Sequence, residues 1–261
     1  MGDAIRTVRE EGILEVTLDR PKANAIDLAT SREMGEVFAA FRDDPELRVG
    51  ILRTEGDKFF SAGWDLKAAA AGDPVDGDYG VGGFGGLQEL PQLNKPVIGA
   101  VHGLAMGGGF ELALSCDLVY ASETTQFGLP EISAGTLADA ATVKLPRRMP
   151  YHVAMELLLT GRRMGAAEAA RWGLVNEVLP DDEAVRARAW EIARLLAAGP
   201  PLVFAAIKET LRVAEPLSFA DAMDLITSSS LPTVATLYRS EDQLEGARAF
   251  AEKRAPVWKG R

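Results

Sequence analysis

The residues best suited to chemistry lie in one stretch, where the apolar run 97–101 leads into three consecutive glycines, Gly107-Gly108-Gly109, followed by Phe110 and Glu111. Ordering three glycines loses more backbone entropy than ordering any other tripeptide, so something must compensate. One compensation is close backbone approach to a ligand, with amide N–H groups at a helix start aimed at an anion or oxyanion; the other is tight packing of helix on strand, and the two are compatible. Glu111 falls in the first turn of that helix among Phe110, Leu112, Ala113 and Leu114, where a carboxylate is costly to bury unless partnered or used. Glu131 recurs in a second apolar setting, Phe127-Gly128-Leu129-Pro130-Glu131-Ile132. Either glutamate alone suits a helix cap or the surface. Together, beside a glycine-rich source of N–H donors, they are what paired acid and base work on a carbonyl compound requires. The turn Phe60-Ser61-Ala62-Gly63-Trp64-Asp65-Leu66 opens another helix, and one amide from each glycine turn makes a minimal oxyanion hole.

These residues need a frame that brings distant turns together. Residues 13–18 put Leu14, Val16 and Leu18 on one face and Glu15 and Thr17 on the other, the period of a half-buried strand. From Thr30 the period becomes helical through Met34, Val37, Phe38 and Phe41, with Thr30 and Glu33 as a capping box. Apolar runs at 49–52, 97–101, 118–120 and 174–179 alternate with helical stretches, which predicts an α/β fold. Beyond residue 181 the spacing predicts helices over 182–198, 202–213, 218–238 and 241–253. The first starts at the acidic run Asp181-Asp182-Glu183, Pro232 breaks the third, and Ser240 with Gln243 caps the last. The division expected is a core over residues 1–195 that carries the site and a helical region over 196–261.

The chain has 261 residues, 47% hydrophobic and 25% charged, the composition of a globular protein. With 28 basic against 38 acidic residues the net charge is −10, which argues against nucleic acid as a partner and against RNA binding in particular. A lone Cys116 and two histidines leave no disulfide and no metal site, and fit a cytoplasmic setting; Cys116 reads as a buried, inert thiol. His102 and His152 read as hydrogen-bonded scaffold residues. No apolar h-region opens the chain and no uncharged apolar run nears the roughly 18 residues of a membrane span. Residues 72–86, rich in Gly, Asp and Pro, suggest a mobile or lid-like connection. Gly80, Gly82 and Gly85 spell a dinucleotide-binding fingerprint but lack the strand that must precede it. Lys253, Arg254, Lys259 and Arg261 form a basic cluster that reads as a solvated tail or a phosphate contact.

In order and spacing, residues 60–66, Lys95-Pro96-Val97-Ile98-Gly99-Ala100-Val101-His102-Gly103, 107–112, 127–131 and Thr160-Gly161-Arg162 resemble the crotonase (enoyl-CoA hydratase/isomerase) superfamily over essentially the whole chain. The resemblance implies a superhelix of ββα units with a helical C-terminal trimerisation region, assembled as a homotrimer or hexamer. It implies an acyl-CoA substrate, coenzyme A being part of the thioester with no other cofactor. The thioester oxygen would sit on the amides of Ala62 and Gly108, and CoA against Lys22, Ala23 and the turn Gly63, Trp64, Asp65 and Leu66. Glu111 and Glu131 match the two catalytic glutamates, for water addition or removal. Residues 20–27, 63–70 and 250–261 resemble the branch whose acyl group carries a trimethylammonium, for which Trp64, Tyr79, Phe84 and Asp65 are candidate pocket residues. A departure follows Glu131, where residues 135–146 are one residue shorter than the family pattern and Ala140-Ala141 replace a glycine pair. It leaves open a short-chain hydratase, an isomerase, or a scaffold that binds CoA thioesters without turnover.

Overall fold

A computed structural model describes residues 4–72, 74 and 76–261. Strands β1 (Ile5–Glu10) and β2 (Ile13–Leu18) form an antiparallel hairpin, and helix α1 (Leu28–Asp43) follows. Three ββα units come next: β3 (Val49–Thr54), β4 (Phe59–Ser61) and α2 (Leu66–Ala70); β5 (Val97–Val101), β6 (Leu104–Met106) and α3 (Gly108–Ala113); β7 (Leu118–Ser122), β8 (Gln126–Gly128) and α4 (Glu131–Ala134). In each unit the first strand joins one sheet and the second another. After helices α5 (Asp139–Lys144) and α6 (Tyr151–Thr160), β9 (Met164–Gly165), α7 (Ala166–Arg171) and β10 (Glu177–Leu179) complete both sheets. The large sheet runs β1-β2-β3-β5-β7-β10, parallel except for the first pair, and the small one runs β4-β6-β8-β9 with only its last pair antiparallel. The ends of β4, β6 and β8 therefore lie side by side, and each is followed by the turn into a helix.

The main core includes Phe38, Phe41, Phe60, Phe110 and Phe127, with the last two rings 5.0 Å apart. The opposite face of the large sheet, Ile13, Val49, Ile51 and Ile98, is covered by Val185, Ala189 and Ala193 of α8 (Asp182–Ala197). This corrects the half-buried reading of β2: all six of its residues are buried, because central parallel strands are covered on both sides. Glu15 is buried with them, and Arg186 and Trp190 of α8 donate to its carboxylate at 2.7 and 2.6 Å. Helices α9 (Pro201–Ala214), α10 (Phe219–Thr227), α11 (Pro232–Arg239) and α12 (Glu241–Glu252) follow, with a small core of their own around Ala206, Leu231 and Val234.

Several local signals act as read. Asp181 caps α8 by accepting from the Ala184 amide, Ser240 caps α12 by accepting from the Gln243 amide, and Pro232 stands at the start of α11. The start of α1 differs: Asp27, not Thr30, is its cap and accepts from the Thr30 amide at 2.8 Å. The strand expected over 174–179 is confined to Glu177–Leu179. Of the connection 72–86, in which Asp73 and Val75 lie outside the described residues, the described part up to Val81 has no helix or strand and is exposed or half-buried, whereas its end is packed and not lid-like. Gly82, Gly83, Gly85 and Gly86 are buried, the Gly85 amide donates to Ser31 Oγ at 3.1 Å, and a Cβ on Gly86 would overlap the backbone of Gly35 in α1. Among the described residues no strand leads directly into Gly80, so the dinucleotide fingerprint lacks its context. No single helix among the described residues is long and apolar enough to cross a membrane.

Candidate active site

Both glutamates start from the same edge of the small sheet. The Gly107 amide donates to the Gly128 carbonyl at 2.8 Å, which aligns the turn after β6 with the turn after β8. Glu111 then rises from the first turn of α3 and Glu131 begins α4 directly after Pro130. Gly107 has φ 55° and ψ −127°, and a Cβ there would overlap Oε1 of Glu131. Only glycine allows that backbone and that approach. The packing reading of the triple glycine holds at Gly109, which lies against Ser61 of β4, and Gly107 and Gly108 line a cavity of about 200 Å³ with Glu111 and Glu131.

Glu111 is 5% exposed. The Ala141 amide donates to its Oε1 at 2.8 Å, and Gln88 Nε2 lies 3.4 Å from its Oε2. Burial raises its pKa from 4.5 to about 7, against the pull of the Ala141 bond and with help from the neighbouring charges of Asp139 and Glu131. Burial likewise pushes Glu131 above the ordinary carboxylate range, with Asp139 adding to it, and Glu131 Oε2 is buried without a hydrogen-bond partner. Burial thus favours the neutral form of both carboxyls; they differ in that Glu111 is held by two donors, whereas Glu131 keeps one oxygen without a partner.

The turn after β4 packs directly on Gly108: Gly63 has φ 81°, and a Cβ on it would stand 2.7 Å from the Gly108 nitrogen. The expectation that Ala62 supplies an oxyanion donor is corrected here, because its N–H already donates to the Ala23 carbonyl at 2.9 Å. The Gly63 amide donates to Ser61 Oγ at 3.1 Å and the Asp65 amide to the Ile26 carbonyl at 2.9 Å. That leaves the Trp64 amide, which has no partner among the described residues. Gly108, as the first residue of α3, has no acceptor within its helix. The two free N–H groups on either side of this contact are those of Trp64 and Gly108. Trp64 also lines the cavity, with its indole Nε1 buried and unpartnered.

Other expected residues divide. Ala62 and Leu66 line the cavity. Asp65 does not, because its Oδ1 caps α2 through the Lys67 and Ala68 amides and its Oδ2 pairs with Arg20 at 2.7 Å. It therefore serves the turn and not a substrate cation. Arg20 also pairs with Asp27 at 2.5 Å, so one guanidinium ties the caps of α1 and α2 together. Ala23 is held against Ala62 by the hydrogen bond to its carbonyl, and Lys22 lines a separate cavity with Arg20 and Lys58. Tyr79 and Phe84 line the main cavity with rings 5.5 Å apart, edge to face.

His102 lies on a different cavity with Nε2 unpartnered, unlike the hydrogen-bonded scaffold residue expected, and His152 is exposed on α6. Cys116 is buried, and burial pushes its thiol to about 12, as fits an inert residue. In the C-terminal cluster Arg254 pairs with Glu245 and Glu252, and Lys259 with Glu241. Among the described residues no three His, Cys, Asp or Glu side chains are grouped to hold a metal ion. Gln88 and Asp139 escape a reading of the sequence, and Ala141 stands out there only as part of the replaced glycine pair, with no sign that its amide holds Glu111.

A fold that lays a buried carboxyl, a half-buried one and two free amides on one cavity defines a class of protein able to hold a carbonyl oxygen and move protons on the adjacent carbons. The sequence matches the enoyl-CoA hydratase/isomerase family over residues 8–261, and the chain belongs to that family. It is 51% identical to carnitinyl-CoA dehydratases of Escherichia coli strain K12 and Citrobacter koseri, over 100% of this chain and of each relative. Its fold is that of solved enoyl-CoA hydratases. One from Mycobacterium marinum has a TM-score of 0.89 at 36% identity, covering 99% of both chains. One from Bacillus anthracis has a TM-score of 0.89 at 31% identity, covering 99% of this chain and 100% of that one.

Proposed function

We propose that this protein adds or removes water across the α,β double bond of an enoyl-CoA thioester, interconverting crotonobetainyl-CoA and carnitinyl-CoA. The observation that carries the reading is the meeting of Glu111 and Glu131 with the free amides of Trp64 and Gly108 on one cavity. The full-length identity to carnitinyl-CoA dehydratases supports the choice of acyl group.

In hydration, Glu111 takes a proton from water as the water oxygen bonds to the β-carbon. The double-bond electrons move toward the carbonyl, and negative charge builds on the thioester oxygen between the Trp64 and Gly108 amides, where one donor is worth about 3–4 kcal/mol. Glu131 then gives its proton to the α-carbon. Glu111 ends protonated and Glu131 ionised, and a proton passing between them through solvent restores the start. Dehydration runs the same steps backwards. The donors on Glu111 suit it to the base role, and the unpartnered, buried Oε2 of Glu131 suits it to the acid role.

Coenzyme A enters as part of the substrate, lying across the turn Gly63 to Leu66 toward Lys22 and Ala23, with no further cofactor. The chain works as a homotrimer or hexamer in the cytoplasm, without nucleic-acid or membrane partners, and residues 196–261 build the assembly. Phe219 and Phe250 of these helices are 83% and 87% exposed in the single chain, surface that a second copy would cover. Light scattering tests this: the expected mass is three or six times 27.9 kDa.

The activity test follows the enoyl-thioester absorbance with crotonobetainyl-CoA and crotonyl-CoA, using wild type, Glu111→Gln and Glu131→Gln. Turnover of crotonyl-CoA alone would make the protein a short-chain hydratase. Full turnover by both variants would remove the glutamates from the mechanism, and binding without turnover would make the protein a scaffold.

A further inference from the structure

A third carboxylate, that of the exposed residue Asp139, lines the cavity that holds Glu111 and Glu131, and the water-addition steps above do not use it. Asp139 is the first residue of α5, two positions before the Ala141 amide that holds Glu111, and it lines the same cavity. Its Oδ1 accepts from the adjacent Ala140 amide at 2.7 Å, and among the described residues it forms no ion pair. Neither glutamate has an ion pair either, and no lysine, arginine or histidine lines this cavity among the described residues. Three carboxyl groups therefore share a cavity of about 200 Å³ with no basic side chain on its wall. Aromatic rings of Trp64, Tyr79 and Phe84 line the same space. An anion beside aromatic faces is the surrounding a quaternary ammonium binds best, since ring faces and carboxylate both attract a cation that cannot donate a hydrogen bond.

We propose that Asp139 is the specificity-determining residue that selects an acyl group carrying a fixed positive charge, acting with the aromatic wall. The proposal rests on the hydratase reading and adds the residue that reads the acyl group. Glu111 is engaged by Ala141 and Gln88, and Glu131 is set to deliver a proton, so Asp139 is the carboxylate left to face the cation. A trimethylammonium there also offsets the repulsion between the Glu111 and Asp139 carboxylates, which a neutral acyl chain of the same shape does not.

The test compares crotonobetainyl-CoA with its neutral carbon isostere, in which a tert-butyl group replaces the trimethylammonium, on wild type, Asp139→Asn and Asp139→Glu. The expected result is that Asp139→Asn loses about tenfold more kcat/KM on the cationic thioester than on the isostere, chiefly through KM, and that Asp139→Glu recovers most of the difference. An equal change on both thioesters overturns the proposal. A wild-type enzyme that hydrates the isostere as well as the cation overturns it too, while leaving the hydratase reading in place. No water addition to either thioester by wild type defeats that reading, and this one with it.

Discussion

Replacing Glu111 by glutamine exchanges activity for stability, with a pH dependence set by the burial of the carboxylate. Burial raises the Glu111 pKa from 4.5 to about 7. The folded protein thus binds this proton more tightly than the unfolded chain does. The stability it contributes is fully present below the unfolded value and is lost as pH rises through the folded one. At about 1.4 kcal/mol per pH unit, the ionised carboxylate lowers stability by about 3 kcal/mol above pH 7. Glutamine has the same size and no charge to desolvate, and its carbonyl can still accept from the Ala141 amide. Urea unfolding at about pH 8.5 should therefore find Glu111→Gln more stable than wild type by about 2–3 kcal/mol, and at about pH 5 by less than about 1 kcal/mol. Hydration by the same variant should fall by about 100- to 10,000-fold, the range for a general base. A variant less stable than wild type at the higher pH, or one whose gain is the same at both, would refute the desolvation argument, and hydration undiminished in the variant would refute the base role.

The pH profile of kcat/KM tests the base: it should rise through about pH 7 as Glu111 ionises. A profile with no step there would deny Glu111 the base role. Gly107→Ala puts a Cβ into Oε1 of Glu131 and an L-residue at φ 55° and ψ −127°. The expected loss is about 100-fold in kcat and about 1–3 kcal/mol in stability, read by steady-state kinetics and urea unfolding. Arg20→Ala leaves Asp27 and Asp65, 19% and 16% exposed, without their shared cation. Thermal unfolding should show a loss of about 2–3 kcal/mol, and KM should rise as the Trp64 turn loosens.

What could be read from the sequence was whatever local chemistry decides. Asp181 and Ser240 cap their helices because a cap is a contact between near neighbours, and Pro232, lacking an N–H, suits the first position of a helix and not its interior. The glutamates and the triple glycine could be read because a carboxylate in an apolar run and three glycines together both need an explanation. Where distant segments compete, local signals fail. Thr30 had the pattern of a cap, but Asp27 starts the helix earlier and is pinned by Arg20 as well. The alternation in β2 suggested a wet face, but α8, more than 160 residues on, covers it and supplies Arg186 to Glu15. The glycines of 82–86 looked like a flexible lid and instead let the chain press against α1.

The oxyanion donor shows the same limit at the scale of one amide. Ala62, Gly63, Trp64 and Asp65 are equivalent along the chain, since each carries one N–H. Which of them is free depends on partners elsewhere: Ala23 takes the first, Ser61 Oγ the second and Ile26 the fourth. The residue left is the one whose side chain also walls the cavity, so the turn delivers an amide and an aromatic surface from one position. The contact of Gly63 with Gly108, and of Gly107 with Glu131, then joins the donors to the acid through glycines that admit no side chain. A shift in either turn must therefore displace the carboxyl group as well as the amides, so a substitution at Gly63 or Gly107 should lower kcat more than it raises KM.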